Sequence, residues 1–309
     1  MKSAGWGKII LLGEHAVVYG YPALAAALDR GVEVAPVPTP AGGPLRLDIP
    51  AWNIAVTAGR APDHHRVGRA LAAIADALGI DFPAVSLVGD AQIPVGAGLG
   101  SSAAMAVAVS RALLAHLGRK VDAKTVTAAA SASEAILHGR PSGVDVALAI
   151  AGGLGVFRRS SGLRPISAAA TPSLRVLVGP SGEPRETSAM VERVAEATAG
   201  RTDDARLVEL GRLTDLGTTA LLDSELPRLG DAMTRAHGVL AELGVSTPKL
   251  DGLCEAARTA GAHGAKLTGA GGGGAVIAIA PRDREPAVLA AWRAAGVAGF
   301  VATVGGSSG

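Results

Sequence analysis

Apolar positions fall into two rhythms along this chain. Short apolar runs bounded by Gly or Pro read as strands at 8–12, 32–37, 45–49, 85–88, 154–157, 174–178, 276–280 and 300–304. Longer stretches read as helices at 67–78, 103–117, 122–138, 188–198, 204–222, 226–243, 248–260 and 284–294. Gly79 is placed to stop the first helix, Asp122 to cap the third, and Gly139 with Pro141 to end it. Residues 16–28 are small and apolar but broken by Gly20 and Pro22, and 52–65 are irregular. Residues 38–44 form a Pro/Gly-rich turn, and 158–171 read as a linker or long hairpin. The Gly-Gly-Ser-Ser-Gly end at 305–309 is expected to be disordered. The pattern restarts at Leu174, so the elements predict an α+β protein of two domains, 1–170 and 171–309.

Two glycine-rich loops interrupt that rhythm. The first runs from Pro94 through Gly96, Ala97, Gly98, Leu99 and Gly100 to Ser101, Ser102 and Ala103, straight into a helix. Glycines without Cβ let backbone N–H groups approach a ligand. A helix N-terminus adds unpaired donors and the positive end of the dipole, so phosphate is the natural guest. No Gly-Lys-Ser/Thr follows, so this is not a Walker loop. A serine-capped turn is the alternative reading. The second loop, Thr268, Gly269, Ala270 and Gly271 through Gly274, lies ahead of a strand. Four successive glycines cost conformational entropy, which a close backbone approach to some partner would offset.

Composition narrows the function classes. A formal charge of +2, with scattered Lys and Arg, argues against a nucleic-acid binder. The single cysteine, Cys254, excludes an internal disulfide framework and a Cys-based zinc site, and reads as a small buried hydrophobe. Asp63-His64-His65 lacks a third ligand at helical or hairpin spacing and reads as a surface loop. No basic-then-apolar leader is visible and no apolar run spans a membrane unbroken, so a soluble cytoplasmic protein is expected. Glu134 on its own reads as a solvated helix charge, and Asp145 as a helix cap.

Three segments, in order, carry a resemblance. They are Gly7-Lys-Ile-Ile-Leu-Leu-Gly-Glu-His-Ala-Val-Val-Tyr-Gly20, Pro94-x-x-x-Gly-Leu-Gly-Ser-Ser-Ala103 and Lys266-Leu-Thr-Gly-Ala-Gly-Gly-Gly-Gly274. Together with the Glu134…Asp145 segment they resemble the small-molecule kinases named for galactose, homoserine, mevalonate and phosphomevalonate, the GHMP family. Gly-Glu-His-Ala-Val-Val-Tyr-Gly-x-Pro-Ala and His138-Gly-x-Pro-Ser-Gly-Val-Asp145 are most similar to the mevalonate-phosphorylating members. One departure is Gly5-Trp6 where the family commonly has Ala-Pro before Gly-Lys, which leaves the local turn open.

The resemblance implies an α+β, two-domain GHMP kinase fold. The N-terminal domain would be of ribosomal protein S5 domain 2-like type and the C-terminal domain ferredoxin-like, with the active site between them. It implies ATP and Mg²⁺ as cofactors, with the first Gly-rich loop on the phosphates. Ser102, or else Ser101, and Glu134 would hold Mg²⁺. Asp145 would accept the proton of the substrate's primary hydroxyl and Lys8 would lie against it. Glu14, His15 and Thr187 would face the acceptor, which is mevalonate. No nucleic-acid or membrane partner is implied. A homodimer is entertained, though the sequence carries no signal of its own for oligomeric state. The rivals are a sister kinase acting on phosphomevalonate or another small alcohol, and an inactive ATP sensor. A sensor should have lost Lys8, Glu134 or Asp145, and all three are present.

Overall fold

The computed structural model describes residues 2–37, 43–139, 143–167, 173–184 and 186–304. The Pro/Gly-rich turn lies largely outside them, as do part of the 158–171 segment, part of the His138–Asp145 turn, and the C-terminal 305–309. In chain order the elements begin β1 (Ser3–Leu12), β2 (Ala23–Val37), β3 (Arg46–Ile49), β4 (Ile54–Thr57), α1 (Arg66–Ala77) and β5 (Ser86–Ala91). There follow α2 (Ser101–His116), α3 (Ala123–His138), α4 (Val144–Ala151), β6 (Leu154–Arg158), β7 (Gly162–Ile166) and β8 (Leu174–Pro180). Then come α5 (Thr187–Ala197), α6 (Ala205–Leu222), α7 (Leu226–Glu242) and α8 (Pro248–Thr259). The chain finishes with β9 (Gly264–Thr268), β10 (Ala275–Ile279), α9 (Glu285–Ala294) and β11 (Phe300–Val304).

The chain forms two compact units, each built from separated segments. The first comprises residues 1–7, 30–95 and 100–152, and the second 8–29, 96–99 and 153–309. Strands β1 and β2 therefore run through both.

In the first unit the later half of β2 pairs antiparallel with β5, which runs parallel to β3, and β3 pairs antiparallel with β4. Helices α1, α2 and α3 pack together. Ala103–Ala104 through Leu113–Leu114 of α2 are almost all buried, because alanines and valines surround that helix on every side. Asp122 caps α3, accepting from the N–H of Thr125 at 3.0 Å. The departure at Gly5 has a local cause: a Cβ there would lie 2.1 Å from the carbonyl oxygen of Ala104. Glycine lets β1 rest directly on the α2 backbone, and the strand continues unbroken through Trp6.

In the second unit the early half of β2 pairs with β6, and β6 with β7, so of the two readings of 158–171, linker or hairpin, its first part is a hairpin. Strands β11, β8, β10 and β9 form an antiparallel sheet in that order, against which α7, α8 and α9 pack. Strands β9 and β10 are buried at every position. Thr247 caps α8, with Pro248 in the first helical position where its missing N–H costs nothing. The sequence pattern missed β4, β7, β9, α4 and the first part of β2. Ala23–Leu28 carries too little side-chain bulk to announce a strand, and its burial comes from β6 and its surroundings. Among the described residues no helix is long and apolar enough to cross a membrane.

Candidate active site

The first unit carries one cluster of candidate residues. Gly100, in the left-handed conformation at φ 72°, is the N-cap of α2, so Ser101 and Ser102 open the helix as its first residues rather than capping it. Ser101 is buried. Ser102 Oγ lies 3.0 Å from His138 Nε2, and Glu134 Oε2 lies 4.0 Å from the same nitrogen. One imidazole at the end of α3 thus sits beside a hydroxyl from α2 and a carboxylate one helical turn earlier on α3. Glu134 is 2% exposed, so it is not the solvated helix charge that its type suggests when read alone. Asp145 lies in the first turn of α4, whose N-cap is Gly143 at φ 87°. A helix N-terminus suits an anionic side chain.

The loop that leads into α2 has a regular backbone. Gly96, Gly98 and Gly100 have φ of 74°, 82° and 72°, while Ala97 and Leu99 are absent from the positive-φ residues. Alternation of this kind makes successive N–H groups line a concavity that accepts anions. A Cβ on Gly96 would meet nothing within 4 Å. Pro94 is half-buried, and Ala97 to Gly100 are buried.

The second unit joins parts of all three signature segments. The N–H of Lys8 donates to the carbonyl of Leu99 at 2.8 Å, which ties β1 to the first Gly-rich loop. Lys8 itself is 4% exposed. Beyond β1 the chain turns at Gly13, where a Cβ would strike the Pro22 carbonyl at 2.3 Å. Glu14 is buried and ion-paired with Lys266 of β9, whose ammonium also donates to the carbonyl of Leu267 at 2.5 Å. Burial pushes the Glu14 carboxyl up, opposed by the Lys266 ammonium, and pushes Lys266 down, opposed by Glu14. Removing either partner would strand a buried charge, a loss of about 3–5 kcal/mol. The other Glu14 oxygen, Oε2, has no hydrogen-bond partner among the described residues.

His15 is one of four non-glycine residues with positive φ among those described, at 60°. Such a backbone costs about 1–3 kcal/mol and is retained where the surroundings enforce it. Its side chain reaches the second Gly-rich loop: His15 Nε2 lies 2.8 Å from the carbonyl of Ala270. A carbonyl only accepts, so Nε2 carries the proton. Burial holds the imidazole below the ordinary histidine range, which leaves Nδ1 as an acceptor.

Other expected residues fall elsewhere. Thr187 is exposed at the start of α5, after Arg185, which lies outside the described residues. Gly269 and Gly271 have φ of 87° and 79°. The partner that the four glycines approach is the protein itself: a Cβ on Gly271 would lie 2.0 Å from the Val245 carbonyl. His65 caps α1 by accepting from the N–H of Val67 at 3.2 Å. Lys266 went unassigned in the sequence. Its need for a partner follows from the burial of every position of Gly264–Thr268, which the sequence does not announce.

Comparison with known proteins identifies the family. The family model described as GHMP kinases N terminal domain matches residues 65–153, and that for GHMP kinases C terminal matches 218–298. A mevalonate kinase of Pyrococcus horikoshii is 35% identical over 305 residues, covering 91% of this chain and 89% of its own. One from Methanothermobacter thermautotrophicus is 35% identical, with 92% and 91% covered. Among solved structures, L. major mevalonate kinase in complex with R-mevalonate has a TM-score of 0.85 at 28% identity, covering 100% of this chain and 97% of that one. The Methanococcus jannaschii mevalonate kinase has a TM-score of 0.84 at 25% identity, with 98% of each chain covered. The two-domain mixed fold read from the sequence is the fold of these kinases. With two family models matched and relatives of this identity spanning nearly its whole length, the chain belongs to the mevalonate kinase branch of the GHMP kinases.

Proposed function

We propose that this chain transfers the γ-phosphoryl group of ATP to the primary (C5) hydroxyl of mevalonate, giving 5-phosphomevalonate for isoprenoid precursor synthesis. The observation that supports the chemistry is the run of alternating φ at Gly96–Gly100 feeding the N-terminus of α2, a backbone shape suited to a polyphosphate. The acceptor is inferred from the mevalonate kinases that resemble the chain over nearly its full length.

Each residue then has a task. Pro94, Gly96, Ala97, Gly98, Leu99, Gly100, Ser101, Ser102 and Ala103 bind the phosphates. Ser102 and Glu134, the two oxygen donors beside His138, form a hard donor set that suits Mg²⁺ and would hold it. When bound, that ion supplies neutralisation of the polyphosphate charge. Asp145 takes the proton of the primary hydroxyl as its oxygen attacks the γ-phosphorus in line; the bond to the ADP oxygen breaks. Lys8 stabilises negative charge developing on the reacting oxygens. His15 and Thr187 contact the acceptor, and Glu14 acts with them from its ion pair with Lys266. Thr268, Gly269, Ala270 and Gly271 support that side. The residue ranges 1–170 and 171–309 are proposed as the catalytic and C-terminal domains, in a cytoplasmic homodimer. A near-neutral, scattered surface charge supports a protein that engages neither nucleic acid nor membrane.

The test is coupled ADP release by the purified chain with mevalonate, phosphomevalonate, homoserine and galactose, followed by product analysis. Turnover with mevalonate and phosphate on the primary hydroxyl is expected. Turnover of phosphomevalonate alone, or phosphate on the tertiary hydroxyl, would overturn the assignment.

A further inference from the structure

Thr268 is fully buried, yet its hydroxyl is used twice on the backbone of one residue 258 positions away. It accepts from the N–H of Ile10 at 3.0 Å and donates to the Ile10 carbonyl at 3.0 Å. Two residues earlier on β1, the N–H of Lys8 donates to Leu99. Residues two apart in a strand share an edge and a face. Along that edge one donor is taken by the first Gly-rich loop and the next by a threonine side chain. On β9, Lys266 and Thr268 are likewise two apart. Lys266 holds Glu14, Thr268 holds Ile10, and Ala270 just beyond holds His15. Of the three contacts, only that of Thr268 grips the β1 backbone itself, by both of its polar groups.

We propose that Thr268 is a positioning residue, a clamp that sets the register of β1 and thereby the placement of Lys8 on one side and Glu14-His15 on the other. Its use in catalysis rests on the kinase reading above. Valine would keep the shape and remove the hydroxyl, leaving a buried N–H and C=O without their partner. Serine would lose only the methyl.

The experiment compares wild type, Thr268→Val and Thr268→Ser as full-length proteins. Ile10 amide hydrogen exchange is measured without ligand, with Ile277 of β10 as the internal reference. Steady-state kinetics are measured with ATP and mevalonate. Thr268→Val should speed Ile10 exchange by about tenfold or more with Ile277 little changed, the scale of one lost hydrogen bond. Its kcat should fall by about tenfold, with the KM for ATP within roughly twofold of wild type. Thr268→Ser should restore both. If Thr268→Val fails to fold, Thr268→Ala is read in the same way. Unchanged Ile10 exchange would overturn the clamp. Faster exchange with wild-type kcat would overturn its positioning role, and so would a serine variant as impaired as valine. Wild-type protein that turns over no mevalonate would sink the kinase reading instead, and the clamp would then stand or fall on Ile10 exchange alone.

Discussion

The two glycine-rich loops look alike in sequence and differ in what stands beside their glycines. At Gly96 the space that a Cβ would fill is empty, and the loop's alternating φ lines a concavity. At Gly271, Gly272 and Gly273 that space is held by the Val245 carbonyl, the Met190 sulfur and the carbonyls of Glu183 and Pro184. The N–H groups of Gly272 and Gly274 donate to Val245 and Glu183, and Ser181 donates twice to the Gly274 carbonyl. The first loop leaves open space beside Gly96. The other knots β9–β10 to the segments before α5 and α8. Glycine content reports that something comes close, and only the neighbour of the missing Cβ says whether that something is ligand or protein.

Substitutions should separate into those that stop catalysis and those that loosen the fold. The largest effect is expected on the ligand side. Asp145→Asn keeps the shape and removes the charge. It should lower kcat by on the order of 10²–10⁴ with little change in Tm or in ATP binding, measured by ADP release, thermal unfolding and nucleotide titration. A near wild-type rate would remove Asp145 as the base.

An intermediate effect should distinguish the loops directly. Gly271→Ala combines a left-handed backbone with a clash against the Val245 carbonyl, for a loss of about 2–6 kcal/mol from strain and overpacking together. Thermal unfolding should therefore shift down by roughly 5 °C or more. Gly96→Ala meets no neighbour and bears only the backbone term of about 1–2 kcal/mol. Its main effect should be a KM for ATP raised by about fivefold or more, with a smaller Tm change than Gly271→Ala. Equal Tm losses in the two variants would break the comparison.

The smallest effect concerns pH. Two buried histidines serve the second loop and the strand leading to it: His15 bonds the Ala270 carbonyl, and His237 Nδ1 accepts from the N–H of Leu267 at 3.3 Å. Burial lowers both below the ordinary value of 6.5; Asp251 opposes this at His237, while Lys266 adds to it at both. A histidine depressed in the folded state binds fewer protons there than in the unfolded chain. Its contribution is whole above about 6.5 and is lost as pH falls through the folded value. Tm should decline on acidification below that point, and amides around Leu267 should lose exchange protection before those of α2. Protection that fails first in α2 would contradict this.

Much of the scaffold was legible because it repeats a period. Helices α6, α7 and α8 carry spaced apolar positions and clear caps at Asp204 and Thr247, so local sequence and burial agree. Strand β2 was half hidden, since its alanines are apolar without being bulky. Of the site, the Gly-rich loop and the Glu134 and Asp145 carboxylates were visible as residue types, but Glu134 alone looked like a surface charge. Its burial beside His138 depends on helix packing, which no local pattern encodes.

By itself the sequence determined most of the helices and the longer apolar strands, the glycine-rich turn at residues 94–103, and the presence of the Lys8, Glu134 and Asp145 side chains. Those properties are local, set by backbone freedom, periodicity and side-chain chemistry. The tertiary structure decided which glycines are gripped by protein, that Lys266 partners Glu14, and that Thr268 holds Ile10. Each of these joins residues that are not neighbours in the chain: Gly271 and Val245 lie in separate loops, and the last two pairs are 252 and 258 positions apart. Whether such groups meet is settled by the packing of the whole core, because the cost of burying a charge or a peptide group unpaired is met only where the fold brings its partner.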